Sequence, residues 1–421
     1  MISRRFIPKP LYILKADNPY RVLFTLPVIV SALGFFVDVY DMLIFSIVRL
    51  PSLRSLGLSE DEVSKIGTYI LNWQQAGLVV GGILWGVWGD KRGRLSVLFG
   101  SIITYSLANI ACGFVQDTQT YALLRFVAGV GLSGEIGAAM TLVSEIVPPK
   151  IRSLGPTLVA GVGYLGAGVA YITQEWFDWR TAYFVGGGMG LLLLILRISV
   201  FESGLFIKLK EKPINRGNYF FFFSSWSRFV KYIRCIAIGI PTWFIVGILA
   251  TFGNEFGKAL GIVEPVAPGK CVMFIYFGLT AGDFISGPLS QYIESRRKAI
   301  AYLMSFSAVF AAAYLYAGAA TPFQLYLICF FAGLCTGYIG LYLMMVAELY
   351  GTNLRATATT SVPSIVRGLV IPMTLSFQAL KSTFNVLGSG LILGIICYGV
   401  AFLALSKTPE TFGKDLEFIE E

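Results

Sequence analysis

Apolar residues fill most of this chain, in continuous stretches of about 18–25 residues that short polar segments separate. Each stretch is long enough to cross the hydrocarbon core of a bilayer as an α-helix, and none alternates as the strands of a membrane barrel do. The predicted spans lie near residues 22–48, 67–89, 95–115, 121–145, 154–175, 181–199, 233–253, 270–291, 299–319, 323–345, 357–380 and 386–405. The pattern therefore predicts an all-α membrane protein with twelve transmembrane helices.

The second half of the chain repeats a glycine-rich motif of the first half. Residues 128–137 are echoed by residues 332–340 with one residue fewer, and Tyr338 takes the place of Glu135. Internal repeats of hydrophobic segments are typical of secondary transporters, whose substrate site lies where the two copies meet. The repeat predicts two pseudo-symmetric six-helix bundles with the functional site between them.

A repeated pair of charged residues follows each glycine-rich motif. Glu145 precedes Arg152 by seven residues, and Glu348 precedes Arg355 by the same number. The predicted organisation is an N-terminal bundle at 1–200, a linker with an amphipathic interfacial segment at 201–232, a C-terminal bundle at 233–405 and a tail at 406–421.

Composition and charge support a membrane protein. Of the 421 residues, 56% are hydrophobic and only 14% are charged, too few charges to cover a soluble globule of this size. Most of the 33 lysines and arginines fall in loops on the side of the two termini, which predicts that both termini are cytoplasmic. This loop distribution, and not nucleic-acid binding, explains the net charge of +9. The basic run 208–234 is a topology determinant or a site for anionic lipid.

Several functional classes are disfavoured by residues that the chain lacks. It contains no histidine, and its six cysteines have no paired spacing, so neither disulfides nor a metal cluster is expected. Any proton chemistry must use carboxylates. With no phosphate-binding loop or reactive constellation, neither an enzyme nor a bound cofactor is predicted. The absence of an Asn-x-Ser/Thr sequon weakly favours a bacterial inner membrane.

The loop Gly86-Val-Trp-Gly-Asp90-Lys-Arg-Gly-Arg94, between the second and third spans, resembles the signature loop of the major facilitator superfamily. A degraded copy occupies residues 287–297. Further marks are similar to motifs of sugar-porter-like members, and they are found at 125–131, 201–203 and 409–414. The resemblance implies two bundles that work by alternating access, and a charged cluster that latches the cytoplasmic side in one conformation. The residues assigned to this latch are Gly86, Asp90, Arg94, Glu145, Arg152, Glu348 and Arg355.

The first span indicates which branches of the superfamily the chain resembles. Residues 34–41 are similar to the double-aspartate pattern of phosphate:proton and organic-acid:proton symporters. The chain departs from the phosphate pattern at Glu135 and at Gly247, where phosphate symporters carry aspartates. Glu135 is closer to the general metabolite:proton symporters.

Charged residues within the spans are the candidates for proton coupling, because burying a charge in a bilayer is costly unless it has a function or a partner. The candidates are Asp38, Asp41, Arg125, Glu135 and Asp283. In related symporters, protonation of the acid that matches Asp41 releases the arginine that matches Arg125; the alternative is a static buried ion pair. Asp38 is a second proton or substrate group or a solvated cavity acid, and Asp283 is a proton site or part of the degraded loop.

The candidates for substrate binding are Arg367, Glu135, Tyr40, Tyr164, Trp243, Tyr338 and Tyr342. Arg367 lies among apolar residues between Pro363 and Pro372, which suits an anion clamp on a cavity wall, although a cation near a helix end can also extend to the interface. The aromatic residues fall on helices that line the cavity in this fold, and aromatic residues also mark membrane interfaces.

The favoured function is proton-coupled uptake of a small polar metabolite, such as an organic acid or an amino acid, by alternating access. A proton-driven exporter of a siderophore or drug is the alternative, since both directions use the same acids. A receptor that does not transport is disfavoured because the coupling charges are retained. The expected partners are the substrate, protons and the lipid bilayer, without nucleic acid, and a monomer is expected because one chain contains a complete pathway.

Overall fold

The computed structural model describes residues 19–197, 217–316, 318 and 321–420. The first half contains α1 (Leu26–Ser55), α2 (Glu60–Arg92), α3 (Arg94–Cys112), α4 (Thr118–Ile146), α5 (Leu154–Tyr164), α6 (Gly166–Trp176) and α7 (Trp179–Leu196). The second half contains α8 (Trp226–Phe244), α9 (Gly253–Ala259), α10 (Pro268–Ile293), α11 (Arg296–Tyr316), α12 (Pro322–Thr336), α13 (Ile339–Leu349), α14 (Arg355–Gly368) and α15 (Val370–Ser406). The predicted all-helical class is confirmed, and so are the twelve predicted transmembrane helices, some of which are divided into two of these segments.

Ten helical segments in the described part of the chain are long and apolar enough to cross a membrane. One of them, Arg355–Ser406, has 52 residues and contains two spans, because the backbone at Asn385 leaves the helical conformation with φ 55° and ψ −176°. The second span, α2, is not among the ten, since Asn72, Gln74 and Gln75 make its middle more polar. Asn385 and α2 thus account for the difference between ten and twelve.

Four spans in the described part of the chain are interrupted. The fifth consists of α5 and α6, which join at Leu165. The seventh continues from α8 into a π-helical turn at Ile245–Ala250, after Pro241. The tenth consists of α12 and α13, with Gly337 and Tyr338 between them. The eleventh consists of α14 and the first part of α15, which join at Leu369.

The repeated glycines perform the same packing in both halves. Gly129 of α4 lies so close to α2 that a Cβ would overlap the carbonyl oxygen of Gln74. Gly333 of α12 lies equally close to α10, at the carbonyl oxygen of Ile275. Small residues allow such backbone approach between membrane helices. The sequence repeat is therefore a structural repeat of one helix pair.

The seventh span begins earlier than the hydrophobic pattern predicts. α8 starts at Trp226 and not near residue 233, so its first two turns fall inside the predicted linker. Ahead of it, Tyr219–Phe223 forms a 3₁₀ helix with Phe220 and Phe223 exposed. Exposed aromatic residues at a span end suit the predicted interfacial position. The motif at 201–203 lies outside the described residues.

Candidate substrate site and latch

The two halves are joined at one end of the molecule, here called the latch end, where the last turns of α2 meet the start of α14. The Asp90 carboxylate accepts hydrogen bonds from the backbone N–H groups of Ala356 at 3.1 Å and Thr357 at 2.8 Å, and from the Thr357 hydroxyl at 2.7 Å. Asp90 therefore caps a helix that belongs to the other half, where the N-terminal dipole favours a negative charge. Gly86 permits this contact, because a Cβ there would lie 2.8 Å from the Cα of Thr357.

The repeated acids and arginines pair across the halves. Glu145 of the first half accepts from Arg355 of the second half at 2.8 Å and from Arg94 at 2.9 Å. Glu348 of the second half lies 3.7 Å from Arg152 of the first half. Each repeat thus supplies an acid to the arginine of the other repeat.

Arg296 and the C-terminal tail complete the second pair, and the sequence analysis did not identify either contribution. The Arg296 Nε lies 3.5 Å from Glu348, and the Thr411 hydroxyl donates to Glu348 at 2.7 Å. Arg152 also donates to the carbonyl oxygen of Lys414 at 2.8 Å. The tail therefore lies across the joint between the halves. Arg152, Arg296 and their partners Glu348 and Lys414 lie far apart in the chain. No single sequence motif therefore predicts these contacts.

A central cavity lies between the halves. The residues that line it are Met42, Ile136, Tyr164, Gly239, Thr242, Trp243, Val246, Tyr276, Leu279, Ile339, Tyr342, Pro363, Val366 and Arg367. Four of the predicted substrate residues, Tyr164, Trp243, Tyr342 and Arg367, are brought together here. Tyr276, which the sequence analysis missed, joins them through an edge-to-face contact with Tyr164 at 5.6 Å between ring centroids.

Arg367 is the cation of this cavity. It is only 4% exposed, and its guanidinium lies 5.4 Å from the centre of the Trp243 ring. Its Nε and Nη1 atoms have no hydrogen-bond partner among the described residues. Because a buried guanidinium normally has its N–H groups paired, this one can accept an anion.

The two acids of the first span, Asp38 and Asp41, are fully buried. None of their four carboxylate oxygens has a hydrogen-bond partner in the described part of the chain. Arg125 lies beside Asp41 but donates to its main-chain carbonyl oxygen at 3.1 Å, and to Asn109 at 2.8 Å and Gln74 at 3.3 Å. The proposed pair is therefore adjacent, without a direct carboxylate–guanidinium hydrogen bond in this conformation.

Glu135 has a partner that the sequence analysis missed. Arg197, just after α7, binds both of its carboxylate oxygens, one of them at 3.0 Å, and donates to the carbonyl oxygen of Leu98 at 3.3 Å. Arg197 is 1% exposed. Its position at the end of an apolar run suggests an interfacial cation, and only the fold brings it to Glu135.

The three remaining candidates, Tyr40, Tyr338 and Asp283, do not line the cavity. Tyr40 donates to the carbonyl oxygen of Ala182 at 3.0 Å, within an apolar cluster of the first half. Tyr338 is buried at the interruption of the tenth span. Asp283 accepts a hydrogen bond from the backbone of Gly340 at 2.9 Å.

The fold and this site define a class of protein. A multi-pass helical protein has two repeated halves that are joined at one end and enclose a mostly apolar cavity with one arginine at the centre. This is the arrangement by which a solute crosses a membrane by alternating access. This is the architecture of a membrane transporter for a small molecule.

Comparison with known proteins gives the family. The model of the Major Facilitator Superfamily matches residues 28–374, so the chain belongs to that superfamily and is a transporter and not an enzyme. A putative metabolite transport protein of Haemophilus influenzae is 28% identical over 92% of this chain and 96% of its own length. A putative niacin/nicotinamide transporter of Bacillus subtilis is 26% identical over the same shares of the two chains.

A gentisate transporter of Corynebacterium glutamicum is 25% identical over 88% of this chain and 86% of its own length. Among solved structures, the proton:xylose symporter XylE bound to 6-bromo-6-deoxy-D-glucose has a similar fold, with a TM-score of 0.76. The two chains are 16% identical, and the match covers 95% of this chain and 98% of that one.

Proposed function

We propose that this protein carries a small organic carboxylate across the membrane together with protons. Arg367 carries the proposal, because its guanidinium faces the central cavity with two nitrogen atoms that no described residue engages. Guanidinium and carboxylate groups form two parallel, charge-assisted hydrogen bonds, which are stronger than those between neutral groups.

The rest of the cavity wall supports a solute with a flat apolar part. Trp243, Tyr164, Tyr276 and Tyr342 surround Arg367, and only a few polar atoms lie among them. Aromatic walls with a small number of fixed polar groups are typical of sites that bind small organic molecules. The names of two relatives, a niacin/nicotinamide transporter and a gentisate transporter, favour such a solute.

Asp38 and Asp41 are the proposed proton carriers. Asp38 lies within electrostatic range of Arg367, so an ionised Asp38 and an anionic substrate compete for one guanidinium. Protonation of Asp38 frees Arg367 for the substrate. Asp41, beside Arg125, is the second proposed proton carrier. A conformational change that alters the distance between the two side chains changes the proton affinity of the Asp41 carboxylate.

The electrical driving force is adequate for uptake. Moving one elementary charge through 100 mV is worth about 2.3 kcal/mol, and 1.4 kcal/mol corresponds to a tenfold ratio, so one net charge per cycle supports a gradient of about fiftyfold. We propose that the protein is in a bacterial inner membrane, since the relatives named above are bacterial. The latch end and both termini then face the cytoplasm, as the loop charges favour, and one chain is the working unit.

The test is uptake by purified protein in proteoliposomes of a labelled panel that contains aromatic carboxylates, aliphatic carboxylates, amino acids, nucleosides and phosphate. The proposal expects accumulation of a carboxylate class when an inward proton gradient is imposed. Accumulation of a neutral solute or of phosphate alone would contradict it. Efflux of a preloaded compound on proton entry, without uptake, would identify an exporter.

A further inference from the structure

The tenth span contains a helix break within the membrane. α12 ends at Thr336 and α13 begins at Ile339, and between them Gly337 and Tyr338 have ψ angles of 55° and 17°, outside the helical range. A break of this kind leaves the first N–H groups of the new helix without partners in their own chain segment. Such groups cost several kcal/mol each in a bilayer unless the protein satisfies them.

Asp283 of α10 supplies an acceptor for this break. Its Oδ1 accepts a hydrogen bond from the Gly340 N–H, in the first turn of α13, at 2.9 Å. Tyr338 occupies the N-cap position, and its side chain makes no capping hydrogen bond. The acceptor that an N-cap residue normally provides therefore comes from a neighbouring helix.

Glycines bring the two helices close enough for this contact. Gly278 and Gly282 of α10 lie against the backbone of α12, and a Cβ at Gly282 would overlap the carbonyl oxygen of Leu334. The same added Cβ would lie 2.7 Å from the Cα of Gly337, the first residue of the break. Asp283 follows directly in the chain, so the close approach places its carboxylate at the start of α13.

The position of α13 affects both the cavity and the joint between the halves. Ile339 and Tyr342 of α13 line the central cavity. A Cβ at Gly340 would lie 2.8 Å from both the carbonyl oxygen of Pro156 and the Cα of Thr157, which belong to α5 of the other half. A shift of α13 would therefore move one wall of the substrate site against the opposite bundle.

Asp283 differs from Glu348, the other buried acid in the described part of the second half. It is fully buried and does not line the cavity, and no lysine or arginine in the described ranges forms an ion pair with it. Its contact to α13 goes to a backbone N–H group, a contact that an aspartate and an asparagine can both make.

We propose that Asp283 is a positioning residue that caps α13 from α10, fixes the break in the tenth span and so sets the wall of the substrate cavity. The part that concerns substrate rests on the proposed function, whereas the cap itself does not. The proposal assigns Asp283 a role as hydrogen-bond acceptor and not as proton carrier.

The first experiment measures the cap without substrate. Hydrogen exchange of the backbone amides in residues 336–345 is followed by mass spectrometry for the full-length wild type, Asp283→Asn, Asp283→Ala and the control Ser286→Ala. Ser286 is a buried polar residue on the same helix, and its hydroxyl donates to the carbonyl oxygen of Asp283. The proposal expects exchange to speed at least fivefold in Asp283→Ala and to stay within twofold in the other variants. Unchanged exchange in Asp283→Ala would overturn it.

The second experiment measures transport by the same variants. Asp283→Asn is expected to retain gradient-driven uptake with an unshifted pH profile, and Asp283→Ala to raise KM at least fivefold. Asp283→Asn that exchanges substrate but no longer accumulates it would identify a proton carrier and overturn the proposal, even if Asp283→Ala fails to fold. If the wild type transports no carboxylate, the proposed function fails, and the exchange experiment still decides whether the cap exists.

Discussion

Seven buried arginines, Arg94, Arg125, Arg152, Arg197, Arg296, Arg355 and Arg367, lie in the interior of the described part of the molecule. The first six each have an ion pair or a hydrogen bond to another residue. Arg367 lies beside the Trp243 ring, and its Nε and Nη1 atoms have no hydrogen-bond partner among the described residues. Because desolvation of a charge is expensive, two guanidinium nitrogen atoms without hydrogen-bond partners at a central cavity support the proposal of an anionic ligand.

The substrate role of Arg367 predicts a selective loss of affinity. Charge-assisted hydrogen bonds contribute about 1.5–3 kcal/mol, so Arg367→Ala should raise the KM for a carboxylate about tenfold to a hundredfold. The matched control is Lys381→Ala in α15, the helix that follows α14, because Lys381 is paired with Glu255 at 2.7 Å and lies outside the cavity. KM is measured by initial uptake rates. An unchanged KM in Arg367→Ala would exclude the clamp.

The Glu135–Arg197 pair predicts a non-additive effect on stability. Removing one partner of a buried ion pair costs about 3–5 kcal/mol, whereas replacing both by neutral groups is often close to neutral. Glu135→Gln and Arg197→Met should therefore each lower the melting temperature more than the double variant does. The measurement is thermal unfolding of the purified protein in detergent.

The double variant also tests the role of Glu135 in transport. If Glu135 only neutralises Arg197, Glu135→Gln/Arg197→Met retains uptake. A stable double variant without uptake would support the predicted substrate or proton role. A melting temperature lowered by the sum of the two single effects would contradict the ion-pair account.

At the scale of helices, the hydrophobic pattern was sufficient to predict the spans and the class of fold. It did not predict the breaks at Leu165 and Gly337, because apolar residues continue through both of them. The sequence analysis also did not select Arg197, since its partner Glu135 lies in another helix. Helix existence depends on local hydrophobicity, whereas these features depend on contacts between distant segments.

The sequence predicted several residues of the candidate site, but only partly how they are arranged around the cavity. Motif resemblance and buried charge selected Arg367, Asp38 and Asp41, and the structure buries all three. Tyr40 was also predicted to bind substrate, but it packs inside the first bundle and does not line the cavity. A sequence identifies the helix that carries a residue more reliably than the face to which the residue belongs.

The helix cap at Asp90 predicts how the latch opens. Asp90→Ala removes three hydrogen bonds from α14 to the other half, so the latch end should open more often. The control is Lys91→Ala, whose side chain is exposed in the same helical turn. Electron-spin distance measurements between labels on the exposed residues Arg92 and Lys298 are expected to shift to longer distances in Asp90→Ala alone. Identical distance distributions in both variants would contradict the latch assignment.

At the scale of the whole molecule, the hydrogen bonds and ion pairs between the halves form a joint at the latch end. Two crossed acid–arginine pairs and the Asp90 cap hold this joint, and the tail lies over it. Near its inner side, the hydroxyl groups of Thr141 and Thr359 lie 2.6 Å apart. Alternating access requires that this joint separate while the other end closes. In the proposed mechanism, protonation of the buried acids Asp38 and Asp41 is coupled to this opening and closing.

The central claim, proton-coupled carriage of a carboxylate, is tested most directly by one side-by-side measurement. Wild type and Asp41→Asn are reconstituted in proteoliposomes, and uptake of the carboxylate is recorded with and without an inward proton gradient, together with exchange at equal pH. The account predicts that the wild type accumulates substrate only with the gradient, and that Asp41→Asn exchanges substrate without accumulating it. Accumulation by Asp41→Asn at the wild-type level, or wild-type uptake that ignores the gradient, would contradict the account.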